Sequence, residues 1–199
     1  MKWNRKFVYP KSIRSTDNGI RRYLIGEKKL PSVTSIIEAT KSEEDKAALA
    51  NWVERTGLKE SEAIVKEASS RGSKMHAYLE SFLLGRENLS FFDDNEQYKI
   101  MAKQIIEKGL INRLEEVWGV ECTLYKPDSY SGTCDAVGVY DGRESIIDFK
   151  QSNKPKKFEY IDSWLLQTAA YSLAHNTVYN SNITACVILV CTVDNLFQE

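Results

Sequence analysis

Asp135, Asp148 and Lys150 are the residues whose types and spacing ask for chemistry. They lie in SGTCDAVGVYDGRESIIDFKQS, residues 131–152, where two largely apolar runs flank Asp141-Gly142. Asp-Gly is a preferred central pair for a two-residue type I′ hairpin turn. Counting back along both arms from that turn sets Asp135 opposite Asp148. Strand alternation then puts Lys150 on the same face as Asp148. A bulge or an odd-length loop would turn the facing pair into a diagonal one.

Like charges directly opposed destabilise a sheet, and Val137, Ile146, Ile147 and Phe149 around them predict partial burial. Two carboxylates in such a place need a cation or a shared proton. A hard divalent ion, Mg²⁺ or Mn²⁺, suits oxygen ligands of this kind. A lysine beside it can orient an attacking water and steady negative charge in a transition state. The set suits hydrolysis of a phosphodiester. An exposed hairpin carrying a charge cluster is the competing reading of this segment alone.

The elements that must position these groups change period along the chain. Residues 1–30 predict short extended pieces around Asn18-Gly19 and Gly26. Ser32 or Thr34 can cap a short helix, and Ser42 caps a second, with acids in its first turn and Gly57 as its stop. A long helix is expected from about Lys59 to Leu84, with Met75, Leu79, Phe82 and Leu83 as its buried stripe. Another is expected from about Asp94 to Val117. Four β-rich segments follow, WGVECTLY, TCDAVGVY, ESIIDFKQ and ITACVILVCT, with a helix capped by Asp162 or Ser163 before the last. The order is helices first, then β-β-β-α-β. The last strand is expected either at a sheet edge or awaiting a further C-terminal piece.

At 199 residues the chain can bury a substantial core, and its 42% apolar and 28% charged residues fit a soluble globular protein. No apolar run reaches the length of a membrane span, and the start has positive charge but no apolar stretch of a secretory signal. Cys122, Cys134, Cys186 and Cys191 are scattered, mostly in strand-like segments, and predict buried free thiols in a reducing cytoplasm. The net charge of −1 conceals a +7 bias over residues 1–30. Trp3, Phe7, Tyr9 and Tyr23 are interleaved there with the cations. That suits single-stranded nucleic acid through phosphate charge and base stacking, although a solvated basic terminus gives the same pattern.

Asp135 followed by the Asp148-x-Lys150 triplet, on consecutive strands before a helix, resembles the PD-(D/E)XK nuclease superfamily. The flanking residues are similar to its RecB-type branch, and most to the mitochondrial genome maintenance exonuclease-like group with its phage and bacterial members. LPSVTSII, RGSKMHAYLE, DFKQSNKPK and QTAAY carry that resemblance in order, across residues 30 to 171. It implies one α/β nuclease domain over 1–199 with a restriction-endonuclease-like core. That core is a mixed central sheet with flanking helices, preceded by a helical N-terminal region. The regions expected are a basic arm at 1–30, helices at 31–117 and the catalytic core at 118–199.

The resemblance further implies that His76 joins Asp135, Asp148 and the backbone carbonyl of Phe149 around Mg²⁺ or Mn²⁺, with Lys150 positioning water. Glu80, one turn from His76, either holds it or is solvated. Glu121, on the first strand, is a candidate third acid near the metal. Gly72 lets DNA or another backbone approach. Gln167, Tyr171, Ser152, Lys154 and Arg71 are the expected DNA contacts. Single-stranded DNA or DNA ends are the expected partner, with no membrane. The cysteines do not supply the iron–sulfur pattern of other RecB-type branches, so no such cluster is expected. The activity implied is a metal-dependent deoxyribonuclease, an exonuclease leaving 5′-phosphates in recombination, repair or replication, in a bacterial or phage-infected cytoplasm. An endonuclease of the same superfamily and a non-catalytic DNA-binding module remain the alternatives.

Overall fold

The N-terminal thirty residues are tied into the fold at several points instead of trailing from it. In the computed structural model, which describes residues 1–86 and 96–199, β1 (Lys2–Trp3) adds in parallel to a long central strand. β2 (Ile13–Asp17), β3 (Ile20–Ile25) and β4 (Lys28–Pro31) form a separate three-stranded antiparallel sheet. Asn18, Gly19 and Gly26 make its turns with positive φ, the conformation that favours Gly and Asn.

Helices follow. α1 (Val33–Ala39) is capped by Ser32, whose side chain accepts from the Ser35 amide. α2 (Glu43–Thr56) is capped by Ser42, carries Glu43, Glu44 and Asp45 in its first turn, and stops at Gly57 with φ 87°. α3 (Leu58–Leu83) buries Met75, Leu79 and Leu83. α4 (Gln97–Ile105) runs into a π-helical turn over Ile106–Leu110.

The helix expected from Asp94 to Val117 is therefore too long at its C-terminal end, and Asp94 lies outside the described residues. Asn112 takes φ 64°, and a thirteen-residue strand, β5 (Leu114–Lys126), starts directly after. Glu115 and Glu116 are helix formers by propensity, but pairing with two neighbouring strands overrides them. The helical region thus ends before residue 114.

β5 pairs antiparallel with β6 (Tyr130–Tyr140), and β6 with β7 (Arg143–Ser152). α5 (Asp162–Tyr179) crosses over to β8 (Ala185–Thr192), which lies parallel to β7. Neither Asp162 nor Ser163 caps α5. A 3₁₀ turn over Phe158–Tyr160 leads in, and the Ile161 carbonyl takes the first helical amides, those of Trp164 and Leu165. β9 (Phe197–Gln198) pairs antiparallel with β8, so β8 is not an edge. The central sheet is mixed, in the order β1-β5-β6-β7-β8-β9.

Two cores flank this sheet, and neighbouring residues of β7 serve different ones. Ile147 and Phe149 pack with Met75, Leu79, Met101 and Ile105 of α3 and α4. Ile146 packs with Val137 and Trp118 against Tyr171 and Ala174 of α5 and Val33 of α1. A strand buried on both faces reads as a near-continuous apolar run, which is the character of ESIIDF. Cys122, Cys134 and Cys191 are buried free thiols, whereas Cys186 is exposed.

The arm's aromatic rings are largely used in packing. Phe7 meets Trp118 and His175 edge-on at 5.5 and 4.7 Å between ring centroids, and Tyr23 is buried. The Tyr9 hydroxyl lies 3.1 Å from His175 Nε2, and Ser181 Oγ lies 2.7 Å from its Nδ1. Trp3 alone of the four rings stays substantially open, at 39% exposure.

His175 is fully buried, and that desolvation lowers its pKa to about 4. An unfolded histidine titrates near 6.5, so between about pH 4 and 6.5 the unfolded chain binds more protons. Stability from this site is complete above pH 6.5 and is lost as pH falls towards 4. In urea titrations across that window, His175→Gln should show a shallower pH dependence than the parent, by up to about 1.4 kcal/mol per pH unit.

Candidate active site

The Asp141-Gly142 turn forms as the sequence predicts, with φ 45° and 74° at its two residues, and Tyr140 pairs with Arg143 across it. The predicted register holds back to Ala136 opposite Ile147, where the β6–β7 ladder ends. Beyond that point β6 follows β5 to Tyr130, while β7 follows β8 to Ser152. The sheet forks there. Asp135 and Asp148 are the next residues on the two arms, so the direct cross-strand pair expected of them does not form.

Asp135 is held from two directions. Its Oδ2 accepts the Phe149 backbone N–H at 2.6 Å, and its Oδ1 lies 3.2 Å from His76 Nδ1 of α3. Its side chain is 11% exposed. Burial alone would raise its pKa, but His76, Lys150 and the Phe149 amide outweigh that and hold it below the usual carboxylate range. Burial likewise opposes the charged form of His76, yet the Asp135 carboxylate prevails and raises the imidazole pKa. The His76 ring stands edge-on to Phe149.

Asp148 is 2% exposed, and its Oδ2 lies 2.5 Å from Lys150 Nζ, as an ion pair without an aligned hydrogen bond. Burial pushes its carboxyl up to about 6 despite the lysine, and the neighbouring Asp135 adds to the rise. Gln167 of α5 closes the group. Its Oε1 accepts from Lys150 Nζ at 3.1 Å, and its Nε2 reaches Asp148 Oδ1 and the Tyr171 hydroxyl, each at 3.3 Å. Tyr171 packs so closely on Gly132 that a Cβ there would come within 2.7 Å of its ring.

His76, Glu121 and Asp135 bring potential ligand atoms within 4.8 Å of one another. Asp148 stands outside that trio, facing Lys150. Glu121 belongs inside it because of its backbone: φ is 49° in the middle of β5, a left-handed conformation that a non-glycine residue adopts only when its surroundings enforce it. Partial desolvation, and after it the Asp135 charge, push the Glu121 carboxyl up to about 7. Its sequence marks it only as an acid on a strand; nothing in residue type announces the left-handed turn.

The remaining expected site residues fall in several settings. Glu80 faces Arg86 at 3.5 Å, with His76 turned to Asp135. Arg71, expected among DNA contacts, is buried at 9% exposure. Its guanidinium is taken by Glu67, Gln151 and Asn153, so it clamps α3 to the end of β7. Gly72 admits the Gln151 side chain, whose Cγ would sit 3.3 Å from an added Cβ. Ser152 is buried and donates to the Lys154 carbonyl at 2.7 Å, shaping the loop from which Lys154 protrudes. His76, Glu121, Lys150 and Gln151 open onto a cleft of about 540 Å³, lined also by Arg14, Gly72 and Glu80. Sequence reasoning missed Arg14 at this cleft, since only the general basic bias marked it.

Fold and site together define a mixed α/β protein with an acid–histidine–lysine cluster at a sheet fork. No family model matches the chain. Over 178 residues it is 30% identical to the human protein named mitochondrial genome maintenance exonuclease 1, covering 83% of this chain and 50% of that protein. The mouse protein of the same name is 29% identical over the same shares, and that of Xenopus tropicalis 27% identical over 177 residues, 83% of this chain and 49% of that one. The chain spans about half the length of the curated relatives it matches. Among the described residues no helix is long and apolar enough to cross a membrane.

Removing the Arg71 guanidinium leaves Gln151 and Asn153 without their buried donor. Arg71→Met should cost about 1–3 kcal/mol in urea unfolding, while exposed Lys154→Ala should stay within about 0.5 kcal/mol.

Proposed function

We propose that this chain is a metal-dependent DNA exonuclease that hydrolyses phosphodiester bonds, acts on single-stranded DNA or DNA ends, and forms one PD-(D/E)XK-type nuclease domain. The observation that carries the reading is the convergence of His76, Glu121 and Asp135, with the Asp148–Lys150 pair beside them, at the fork between β6 and β7. The similarity to proteins named as exonucleases supports it independently.

The donor set fits Mg²⁺ or Mn²⁺: two carboxylates and an imidazole already gathered, and a buried Asp148 oxygen whose sole compensation is an ammonium. His76, Glu121 and Asp135 would hold the ion, with Asp148 and the Phe149 carbonyl adjoining. When bound, it supplies Lewis acidity to a phosphoryl oxygen and lowers the pKa of water. Lys150, steered by Gln167, presents its ammonium where the attacking oxygen and the phosphoryl charge meet. Glu121 is thereby assigned a direct share in the ion, and Gln167 the task of fixing Lys150. Tyr171 keeps Gln167 in place from the buried side of α5. Lys154 is the exposed contact for a flanking phosphate.

Lys150→Ala and Asp148→Ala should each lower Mg²⁺-dependent cleavage of single-stranded DNA by about 10²–10⁴-fold with the fold intact by circular dichroism. Unchanged rates in both would remove the assignment. Linear strands labelled at either end, run beside a circular single strand, decide the mode. Loss of label from one end with the circle spared is the exonuclease result; rapid loss of the circle makes the enzyme an endonuclease.

Glu121→Gln should weaken Mn²⁺ binding, read by calorimetry without DNA, by about 10–100-fold. Affinity equal to the parent would return Glu121 to the outside of the metal shell.

A further inference from the structure

The cleft of the candidate site continues into a larger one. A cleft of about 800 Å³ lies between the N-terminal segment and the outer face of β5, and Arg14 and Glu121 line both. Its other cations are Arg5 and Lys11. All three are exposed, and among the described residues no carboxylate forms a salt bridge with any of them. Most of the neighbouring lysines are paired: Lys6 with Glu144, Lys28 with Asp128 and Lys29 with Asp17. Cations left unpaired in a concave surface raise the local potential for an anionic ligand.

The cleft is built, since several contacts fix its walls. Ser12 Oγ lies 2.8 Å from Thr123 Oγ1, which pins the segment carrying Lys11 to β5. The Tyr179 hydroxyl donates to the Val8 carbonyl at 3.0 Å, and Trp3 Nε1 to the Leu83 carbonyl at 2.9 Å. Gly119 has no side chain where Tyr9 crosses; a Cβ there would fall 2.5 Å from the Tyr9 ring. Phe7, Tyr9 and Val120 supply apolar wall between the cations.

We infer that this cleft is the binding track for one flank of the substrate strand. Phosphates of an unpaired nucleic acid are held in turn by Arg14, Lys11 and Arg5 as the chain leaves the Glu121 side of the reaction centre. The inference rests on the proposed nuclease reading for the direction of the strand, but the binding it describes needs no metal and no cleavage. Duplex is disfavoured by the same walls: the apolar surface between the cations can accept bases or sugars only from a strand without a partner.

The test is fluorescence anisotropy with labelled oligothymidylates of four and twelve nucleotides, in EDTA, across a salt series. Neutralising a phosphate contact on single strands reduces the slope of log K against log salt by about 0.7. The Arg5→Ala/Lys11→Ala/Arg14→Ala chain should therefore lose about 2 from that slope for the twelve-mer and bind at least about ten-fold more weakly at low salt. Lys108→Ala, the loss of one exposed positive charge in the turn before β5, should leave the slope as it was. The parent should prefer the twelve-mer to the four-mer.

A triple variant with the parent's slope and melting curve would overturn the track, and so would an equal loss in Lys108→Ala. Thymidine monophosphate competing as well as the twelve-mer would make the cleft a mononucleotide pocket and end the proposal. The two readings fail separately. A parent that leaves DNA uncut with Mg²⁺ and Mn²⁺, yet loses slope in the triple variant, keeps the track and loses the nuclease. Metal-dependent cutting with an unchanged slope does the reverse.

Discussion

The fork between β6 and β7 imposes one condition on the rest of the molecule: ionised carboxylates are set at the depth of a packed sheet. An uncompensated charge in such a place costs several kcal/mol, so each acid must find a proton, a cation or a donor. The site meets this demand with groups from its own chain. Asp135 takes a backbone amide and an imidazole, and Asp148 takes an ammonium and a side-chain amide. The compensating groups come from different elements, namely α3, α5 and β7 itself. Displacing any of these elements would expose the cost.

That condition explains supports distant from the acids. α3 must stay pressed on β7 for His76 to reach Asp135, and the Arg71 clamp and the gap at Gly72 both serve that contact. α5 must stay pressed on β6 for Gln167 to reach Lys150, and the close seat of Tyr171 on Gly132 serves that one. The N-terminal segment locks the far side of α5 through Tyr9 and His175 while leaving Arg5, Lys11 and Arg14 facing outward. One run of chain thus braces the core and, in the inference drawn above, guides the substrate strand.

Much of the scaffold was legible because its signals are local. Asp141-Gly142 fixed the hairpin register, and Ser32, Ser42 and Gly57 marked helix boundaries through groups within four residues of themselves. The failures have two different causes. Leu114 to Val117 looks helical from propensity but pairs as a strand because β6 and β1 offer hydrogen-bonding edges. Asp162 and Ser163 look like caps, yet a 3₁₀ turn delivers Ile161 to that position first. Strands distant in sequence set the first outcome, and a turn spanning three or four residues set the second.

The candidate site divides along the same line. Residue type and strand period were enough to bring Asp148 and Lys150 to one face of one strand, because a strand's alternation is a property of the backbone alone. The ending of the ladder after Ala136, the left-handed turn that carries Glu121 towards His76, and the capture of Arg71 by Gln151 and Asn153 were decided only in three dimensions. Each depends on which distant segments come to lie beside β5, β6 and β7, and the free energy that holds it comes from burial and pairing across those segments. A sequence window contains the groups but not their neighbours.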